Sequence, residues 1–206
     1  MESKHEFIIQ EGVLAKYRGP GGDVAIPGDA VAIGRYAFAD HAGLTGASVP
    51  EDVVAIEDHA FENCPNLAGV TVREGLAVIG RWAFADCAAL RDAPIPAGTA
   101  MVGRAAFRGC ASLERVLIPG SVREIGGLAF AGCLRLARAS LAEGVSVIGE
   151  CAFRNCTALT IMSIPASVAR IGRDAFAGCT GLVIRAPAGS RAESYALENG
   201  IAFRAA

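Results

Sequence analysis

Apolar residues recur along this chain with a fixed period of 23 positions. Seven phenylalanines follow one another at that step, and an alanine precedes each of them. A β-branched residue stands five positions before each phenylalanine, and a leucine stands six positions after it. The seven are Phe38, Phe61, Phe84, Phe107, Phe130, Phe153 and Phe176. Because self-similarity at a fixed period marks repeat architectures, the pattern predicts one continuous solenoid.

Each repeat predicts a short strand followed by a compact turn. The unit reads I-G-x-x-A-F-x-x-C-x-x-L-x-x-φ-x-I-P-x-x-V-x-x, where φ is apolar. Its segment L-x-x-φ-x-I alternates apolar and polar residues at the end, as a half-buried strand does. The proline that often follows has no N–H for a ladder and ends the strand. Stacked units would therefore place each phenylalanine on the next and pair parallel strands about 4.8 Å apart.

The repeat resembles the BspA-type leucine-rich repeat, a bacterial and protist subclass with the core I-G-x-x-A-F-x-x-C-x-x-L. The resemblance covers roughly residues 24–186 without an insertion, and its departures are mild. Thr99 replaces the usual valine, His41 replaces the first cysteine, and Arg73 and Ala142 replace the proline. The resemblance implies an α/β-type leucine-rich-repeat solenoid with short parallel strands on one side and irregular or helical turns on the other.

The two ends of the chain predict caps. Residues 7–17, FIIQEGVLAKY, alternate in the manner of a β-hairpin that turns at Glu11 and Gly12. We expect an N-terminal hairpin cap over residues 1–23, a seven-repeat solenoid over 24–186 and a C-terminal helix–strand cap over 187–206. All three parts would form one structural domain, because the first and last of the stacked repeat units, here called rungs, need a cover for their apolar faces.

The C-terminal cap predicts the one helix of the chain. Ser190 and Glu193 have the spacing of a capping box. The helix should run from about Arg191 to Asn199 and stop at Gly200, since glycine favours the position after a helix end. Both caps resemble those of BspA-type arrays, so the chain is expected to be a complete domain and not a slice of a longer array.

Composition and charge restrict the classes of partner. The formal net charge is −2 and the pI is about 5.9, so the chain has no excess of positive charge for binding nucleic acid or an anionic membrane. No apolar run approaches the 18 or so residues of a membrane span. The segment 1–6 lacks the apolar core of a signal peptide. The localisation stays open: cytoplasmic as written, or cell surface or secreted if a leader was removed.

Six of the seven cysteines follow a phenylalanine by three positions and form a ladder of inward-facing slots. We interpret them as small buried hydrophobic residues with inert, reduced thiols. Cys151 lies in another slot, which also holds Trp82 and Asp174. Because that slot accepts many side chains, Cys151 is expected to be partly exposed. A reactive thiol is the alternative interpretation for it.

The sequence lacks the motifs of the common catalytic and metal sites. It contains no H-E-x-x-H, no Walker A sequence and no G-x-S-x-G. Its carboxylates are scattered instead of paired, and a straight cysteine ladder does not provide the converging ligands that zinc requires. The chain is therefore expected to have no catalytic residues, no metal and no cofactor, and to be no enzyme.

The outward positions of the predicted strands supply a candidate binding surface. These positions flank φ in two sets: Gly46, Gly69, Asp92, Arg115, Arg138, Ile161 and Ile184, and Ser48, Thr71, Pro94, Leu117, Ser140, Ser163 and Ala186. A charged middle lies beside an apolar end, as at protein-binding sites. The candidate binding residues are Asp92, Arg115, Leu117, Arg138 and Ile161. An ordinary solvated sheet face is the alternative interpretation.

These observations favour a non-enzymatic protein–protein interaction module. The resemblance implies an adhesive role, because BspA-type repeats are associated with bacterial surface proteins that engage host matrix proteins or other cells. That implication rests on analogy at the level of the fold. An intracellular structural or scaffolding protein without a dedicated ligand is the alternative. The sequence identifies neither the partner protein nor the oligomeric state.

Overall fold

The structure, a computed structural model, describes residues 6–206. Short strands joined by tight turns make up most of this range. Residues 1–5 lie outside it, with the start of the expected N-terminal cap and most of the segment tested for a signal peptide. The strands and the single helix of this part are β1 (Phe7–Gln10), β2 (Val13–Tyr17), β3 (Gly22–Ala25), β4 (Ala32–Ile33), β5 (Leu44–Ser48), β6 (Ala55–Ile56), β7 (Gly69–Thr71), β8 (Val78–Ile79), β9 (Met101–Val102), β10 (Arg115–Ile118), β11 (Glu124–Ile125), β12 (Arg138–Leu141), β13 (Val147–Ile148), β14 (Ile161–Ser163), β15 (Arg170–Ile171), β16 (Val183–Ala186), α1 (Arg191–Glu198) and β17 (Ala202–Ala205).

Most repeats contribute two strands, where the sequence predicted one. The predicted strands form what we call the strand face, which consists of the sheet β3-β5-β7 and the sheet β10-β12-β14-β16-β17. The second row consists of two-residue strands at the repeated isoleucine. Together with the N-terminal hairpin they form a nine-stranded sheet, here called the short-strand sheet: β1-β2-β4-β6-β8-β9-β11-β13-β15. A two-residue strand is too short for alternation to reveal it.

The strands of successive repeats pair in parallel, in register with the 23-residue step. Ile33 lies beside Ile56 in the short-strand sheet, and Arg115 lies beside Arg138 on the strand face. The turn side also pairs between repeats, since the N–H of Phe107 donates to the carbonyl of Ala129 at 2.7 Å. The predicted parallel-stranded solenoid is confirmed.

The phenylalanines form one buried column, as the sequence predicts. Neighbouring ring centroids lie between 4.7 and 5.5 Å apart, and all seven side chains are at most 3% exposed. Tyrosines continue the column at both ends: Tyr17 lies 5.1 Å from Phe38, and Tyr195 packs edge-on against Phe176 at 5.9 Å. Each ring is therefore stabilised by the rungs on both sides of it.

The hairpin forms at the predicted turn. Glu11 and Gly12 have φ angles of 50° and 78°, and a two-residue turn with both φ values positive matches the twist of paired strands. The second hairpin strand, β2, pairs with β4. The hairpin therefore extends the short-strand sheet, and the strand face begins separately at β3.

The C-terminal helix also forms where the sequence predicts it. The Oγ of Ser190 accepts a hydrogen bond from the N–H of Glu193 at 3.3 Å. The carboxylate of Glu193 accepts from the N–H of Gly189, one residue earlier than in a standard capping box. After Gly200, at a φ of 64°, strand β17 pairs in parallel with β16. The helix and β17 together cover the last rung.

Each turn passes through the left-handed region of backbone conformation twice. One slot, two residues after the phenylalanine, has φ between 55° and 82° and holds only residues that tolerate this region: Asp40, Asn63, Asp86, Gly109, Gly132, Asn155 and Gly178. The other slot, two residues before the phenylalanine, has φ between 55° and 61° and holds unrelated residue types: Tyr36, His59, Trp82, Ala105, Leu128, Cys151 and Asp174. The stacking of rungs thus imposes a strained conformation that these side chains do not favour on their own.

The strand face is interrupted at the rung of Asp92. The segment 92–96 forms no strand, and only an isolated bridge between Asp92 and Arg115 joins it to β10. Pro94 stands in the middle of this segment and has no N–H to donate. The sequence analysis placed Pro94 on the outer face, but its side chain is buried. That prediction was wrong because the rung does not adopt the regular strand alternation.

The last rung is one residue shorter than the others. Met162 lies beside Ile184 and Ser163 beside Arg185, so the pairing step between these strands is 22. Ile184 and Ala186 were predicted to face outward, but they are 0% and 1% exposed. That prediction was wrong because a shift of one residue reverses which side chains of a strand face the core.

Replacing Phe107 with alanine should destabilise the protein far more than replacing Trp82. Phe107 is fully buried between rings at 5.3 Å on either side, and truncation of such a side chain costs about 3–5 kcal/mol. Trp82 is half-buried, with the guanidinium of Arg108 at 5.2 Å from its ring centre and the His59 ring stacked at 6.2 Å. The cation–π contact is worth about 1 kcal/mol. Urea denaturation of both variants would measure the loss in the free energy of unfolding, and equal losses for the two variants would contradict the prediction.

Gly132→Ala should isolate the cost of the left-handed slot. A Cβ at Gly132 would have no neighbour closer than 3.8 Å, but φ is +75°, so we expect a loss of about 1–2 kcal/mol from backbone strain alone. Gly69→Ala is the matched control, because its Cβ would also meet open space at an ordinary φ. Thermal unfolding that shows no difference between the two variants would refute the strain argument.

Candidate functional site on the strand face

The five predicted binding residues line one open groove on the strand face. We call this feature the strand-face groove. It is lined by the exposed faces of Asp92, Arg115, Leu117, Arg138 and Ile161, together with Ser140, Ser163 and Arg185, and by the half-buried Ala93 and Ile95. The groove spans the interrupted rung at one end and β16 at the other.

Strand pairing places these side chains in two rows. In the first row, Asp92 is bridged to Arg115, Arg115 pairs with Arg138, and Arg138 pairs with Ile161. In the second row, which lies two residues further along each strand, the order is Leu117, Ser140, Ser163 and Arg185. Residues two apart on a strand share a face, so both rows point to the same side. Sequence reasoning missed Arg185, because the shortened last rung displaced it by one position.

The groove carries more positive charge than its own acids can offset. Arg115, Arg138 and Arg185 are all exposed. Within residues 6–206, none of the three has a carboxylate oxygen within 4.0 Å. Glu114 is paired with Arg135 at 2.9 Å instead. Three guanidinium groups therefore face solvent in a groove with one carboxylate, that of Asp92.

The groove also exposes apolar surface. The Leu117 side chain is 66% exposed, although its neighbours in the strand, Val116 and Ile118, are buried. Ala93, Ile95 and Ile161 are half-buried around it. An exposed leucine beside uncompensated arginines combines the two kinds of surface that protein interfaces favour.

The cysteine ladder has a structural role that the sequence did not reveal. Each thiol donates a hydrogen bond of 3.1–3.2 Å to the carbonyl of the phenylalanine 26 residues earlier, as Cys110 does to Phe84. The donors are Cys64, Cys87, Cys110, Cys133, Cys156 and Cys179. Four of these carbonyls, those of Phe84, Phe107, Phe130 and Phe153, also accept the backbone N–H of the cysteine three residues later at 3.3 Å. The thiol therefore adds a second hydrogen bond to the carbonyl, and this bond joins one rung to the next.

The pKa is raised for four of these thiols, Cys87, Cys110, Cys156 and Cys179, and lowered for Cys64, chiefly by its hydrogen bond with Cys87. Burial raises the pKa of Cys110 well above its ordinary value of 9.0. Hydrogen bonding to Cys64, and then burial, raise the pKa of Cys87. The thiolate is the reactive form of cysteine, so a raised pKa removes that form at neutral pH.

Cys151 is buried, contrary to expectation. Its exposed fraction is 9%, at the left-handed slot that precedes Phe153. Large side chains such as Tyr36 project from this slot to the surface, whereas Ala105 is fully buried. The side chains of Ala105 and Cys151 do not extend beyond the neighbouring rungs, whereas Asp174 in the last repeat is exposed. The sequence argument from residue variety was therefore wrong for Cys151.

The described part of the chain has neither a metal-binding cluster nor a membrane-spanning helix. Residues 6–206 contain no group of three or more histidine, cysteine, aspartate or glutamate side chains placed to hold a metal ion. In the same range, no helix has the length and apolar character needed to cross a membrane. Two histidines are engaged locally: His59 with the Glu62 carboxylate at 2.8 Å and His41 with the Gly19 carbonyl at 2.9 Å.

Comparison with known families finds one match. A model described as "BspA type Leucine rich repeat region" matches six copies of the repeat, over residues 31–159 and 79–199. Among curated proteins, no significant match is found.

Solved structures of bacterial leucine-rich repeat proteins are similar to this chain. A leucine-rich cell surface protein of Faecalibacterium prausnitzii A2-165 is 31% identical with a TM-score of 0.77, over 87% of this chain and 52% of that one. The chain thus spans about half of that protein. The T. pallidum leucine-rich repeat protein TpLRR is 28% identical with a TM-score of 0.79, over 93% and 89%. The pneumococcal vaccine antigen PcpA shares the fold, at 19% identity and a TM-score of 0.53, over 86% and 43%.

Thiol titration should find no fast-reacting cysteine in the native protein. All seven cysteines are buried, so a disulfide exchange reagent should react with about none of them until denaturant is added, and then with all seven. Cys151→Ala provides the control, since it should lower the denatured total by one and leave the native trace unchanged. A rapid native reaction that this substitution abolishes would show that Cys151 is accessible.

Proposed function

We propose that this chain, which belongs to the BspA-type leucine-rich repeat family, is a non-enzymatic module that binds a protein partner in the strand-face groove. The observation that carries the proposal is the grouping of three exposed, uncompensated arginines with the 66% exposed Leu117 on one rigid surface. Arginine is among the residues that contribute most to binding energy at protein interfaces, and exposed apolar surface rimmed by polar residues marks interaction sites. The parallel strands beneath them hold the backbone of the site in place.

The chemistry of the groove favours binding over catalysis. Its lining contains serines but no histidine or cysteine, so a serine there has no side-chain base of the usual kind within the groove. The repeat family and its fold are typically non-catalytic binding modules. A surface that attracts carboxylates and apolar groups without a reactive group is suited to recognition.

An adhesive role is the more specific form of this proposal. The Faecalibacterium relative is described as a cell surface protein, which supports a partner on another surface. Because this chain spans about half of that protein, the proposal concerns the strand-face groove alone. The alternative is an intracellular structural or scaffolding protein without a dedicated ligand.

Reversing the charge of Arg115 and Arg138 together should abolish partner binding. The two side chains lie beside each other on β10 and β12, so Arg115→Glu with Arg138→Glu turns the attractive centre of the groove into a repulsive one. We expect roughly ten-fold or greater loss of affinity. The measurement is recovery of proteins from cell lysate and from host matrix protein, run side by side, followed by titration with the purified partner.

A matched control separates the groove from general charge effects. Arg123→Glu with Arg170→Glu makes the same change in net charge at two exposed arginines of another surface, one directly before β11 and one in β15 of the short-strand sheet, and should leave binding intact. A photo-crosslinking amino acid at Leu117 should capture the partner, whereas one at the exposed Leu134 should not. If the groove variant folds normally and still binds, the groove is not the site. If no specific partner is recovered by the native chain, the scaffold alternative replaces the proposal.

A further inference from the structure

We infer that the partner presents to the groove an extended acidic polypeptide segment with a large apolar side chain among its carboxylates. This inference rests on the proposed function and adds the chemical class of the partner. It follows from three properties of the groove: the positions of its arginines, the location of its apolar surface, and its length.

The arginines form a triangle suited to carboxylates. Arg115 and Arg138 are adjacent in register, so their Cα atoms lie about 4.8 Å apart. Arg185 lies two strands beyond Arg138 and two residues further along the strand, about 12 Å away by the same spacings. A guanidinium group binds a carboxylate through two parallel hydrogen bonds. Two acidic side chains on an extended segment can therefore each reach a different part of the triangle.

Arginines elsewhere on the solenoid are of two kinds. Some, such as the exposed Arg81 and Arg104, which lie one repeat apart, have no carboxylate oxygen of the described residues within 4.0 Å, as in the groove. Four exposed arginines on other surfaces are paired with a carboxylate near the same slot of an adjacent rung: Arg35 with Asp58, Arg108 with Asp86, Arg135 with Glu114, and Arg173 with Glu150. In the groove, the neighbour of Arg115 across the strands is Arg138. Two like charges at this spacing repel each other, and a carboxylate from a ligand would offset that repulsion.

The apolar part of the groove lies at the interrupted rung. Leu117 is on β10, the first strand after the interruption, and Ala93 and Ile95 border it. Ala93 and Ile95 pack against the core and are half-buried, as are Val70 and Val72 in the preceding rung. A large apolar side chain of the ligand would cover this surface while its carboxylates contact the arginines.

The length and charge pattern of the groove favour a polypeptide over other anions. From Asp92 to Val183 the first row crosses five rungs, about 19 Å, which corresponds to roughly six residues of extended chain. The carboxylate of Asp92 at one end would repel the evenly spaced phosphates or sulfates of a nucleic acid or a sulfated glycan, whereas a polypeptide can place its apolar side chain, and no carboxylate, beside Asp92. The protein as a whole carries a net charge of −2, so it offers no wider basic surface to such polymers.

The probe for this inference is a fluorescein-labelled octapeptide with the sequence EDLEDLED. We expect saturable binding by fluorescence anisotropy in 0.1 M salt and loss of binding in 1 M salt, where the Debye length falls from about 10 Å to about 3 Å. Arg115→Glu with Arg138→Glu should weaken binding roughly ten-fold or more. The control variant with Arg123→Glu and Arg170→Glu should bind as the native chain does.

The apolar contact is tested separately. Leu117→Ser should weaken binding of EDLEDLED several-fold, and it should have little effect on the analogue EDSEDSED, which lacks the leucines. Equal effects of Leu117→Ser on the two peptides would overturn the apolar part of the inference. Equal binding of KKLKKLKK and EDLEDLED would overturn the acidic part.

Two further outcomes separate this inference from the proposed function. Tighter binding of a heparin fragment or an oligodeoxythymidine to the same arginines would identify a polyanion site and overturn the acidic polypeptide. If EDLEDLED does not bind, but capture of the partner still depends on Arg115 and Arg138, the acidic class is wrong and the groove remains the site. If neither depends on these arginines, both proposals fail.

Discussion

The stacking of one rung on the next is the interaction on which this structure depends. Each phenylalanine ring lies 4.7–5.5 Å from the ring before it, and no rung could bury its own ring alone. The same stacking holds eleven non-glycine residues at positive φ in the two slots of each turn, and brings every ladder thiol to a phenylalanine carbonyl. Tyr17 and Tyr195 then end the column with rings whose hydroxyl groups suit the boundary with solvent. Local strain and local hydrogen bonding are therefore consequences of the repeat as a whole.

Because the repeats share the same kinds of buried residue, they differ from one another mainly at their outward positions. The backbone of the strand face is fixed by pairing, so side chains at the same slot must lie about 4.8 Å apart whatever their charge. On the turn side this spacing gives ion pairs between rungs, such as Arg173 with Glu150. In the strand-face groove the same spacing sets Arg115 beside Arg138. A regular scaffold thus turns a choice of residue at one slot into a defined charge pattern on the surface.

Periodicity predicted the fold and the grouping of the five candidate residues, because both follow from the step of 23. The errors arose where one rung departs from the repeat. Ile184 was assigned to the surface by counting, although Arg185, the polar residue in that strand, indicates the opposite alternation. Pro94 could have been recognised as an interruption, since proline is confined to strand edges and bulges. The second sheet and the burial of Cys151 depend on contacts between rungs and leave little signal in one repeat, whereas the aspartates, asparagines and glycines after the phenylalanines do indicate left-handed backbone.

The interruption at Pro94 has a mechanical consequence. The short-strand sheet is continuous across nine strands, but the strand face is divided into sheets of three and five strands. A row of main-chain hydrogen bonds resists the separation of neighbouring strands, and here that row is incomplete on one side of the rod only. Bending that opens the strand face at this rung therefore meets less resistance than bending anywhere else along it. The apolar end of the groove lies at this compliant joint, so its width can adjust to the side chain it receives while the arginines remain on the rigid five-stranded sheet.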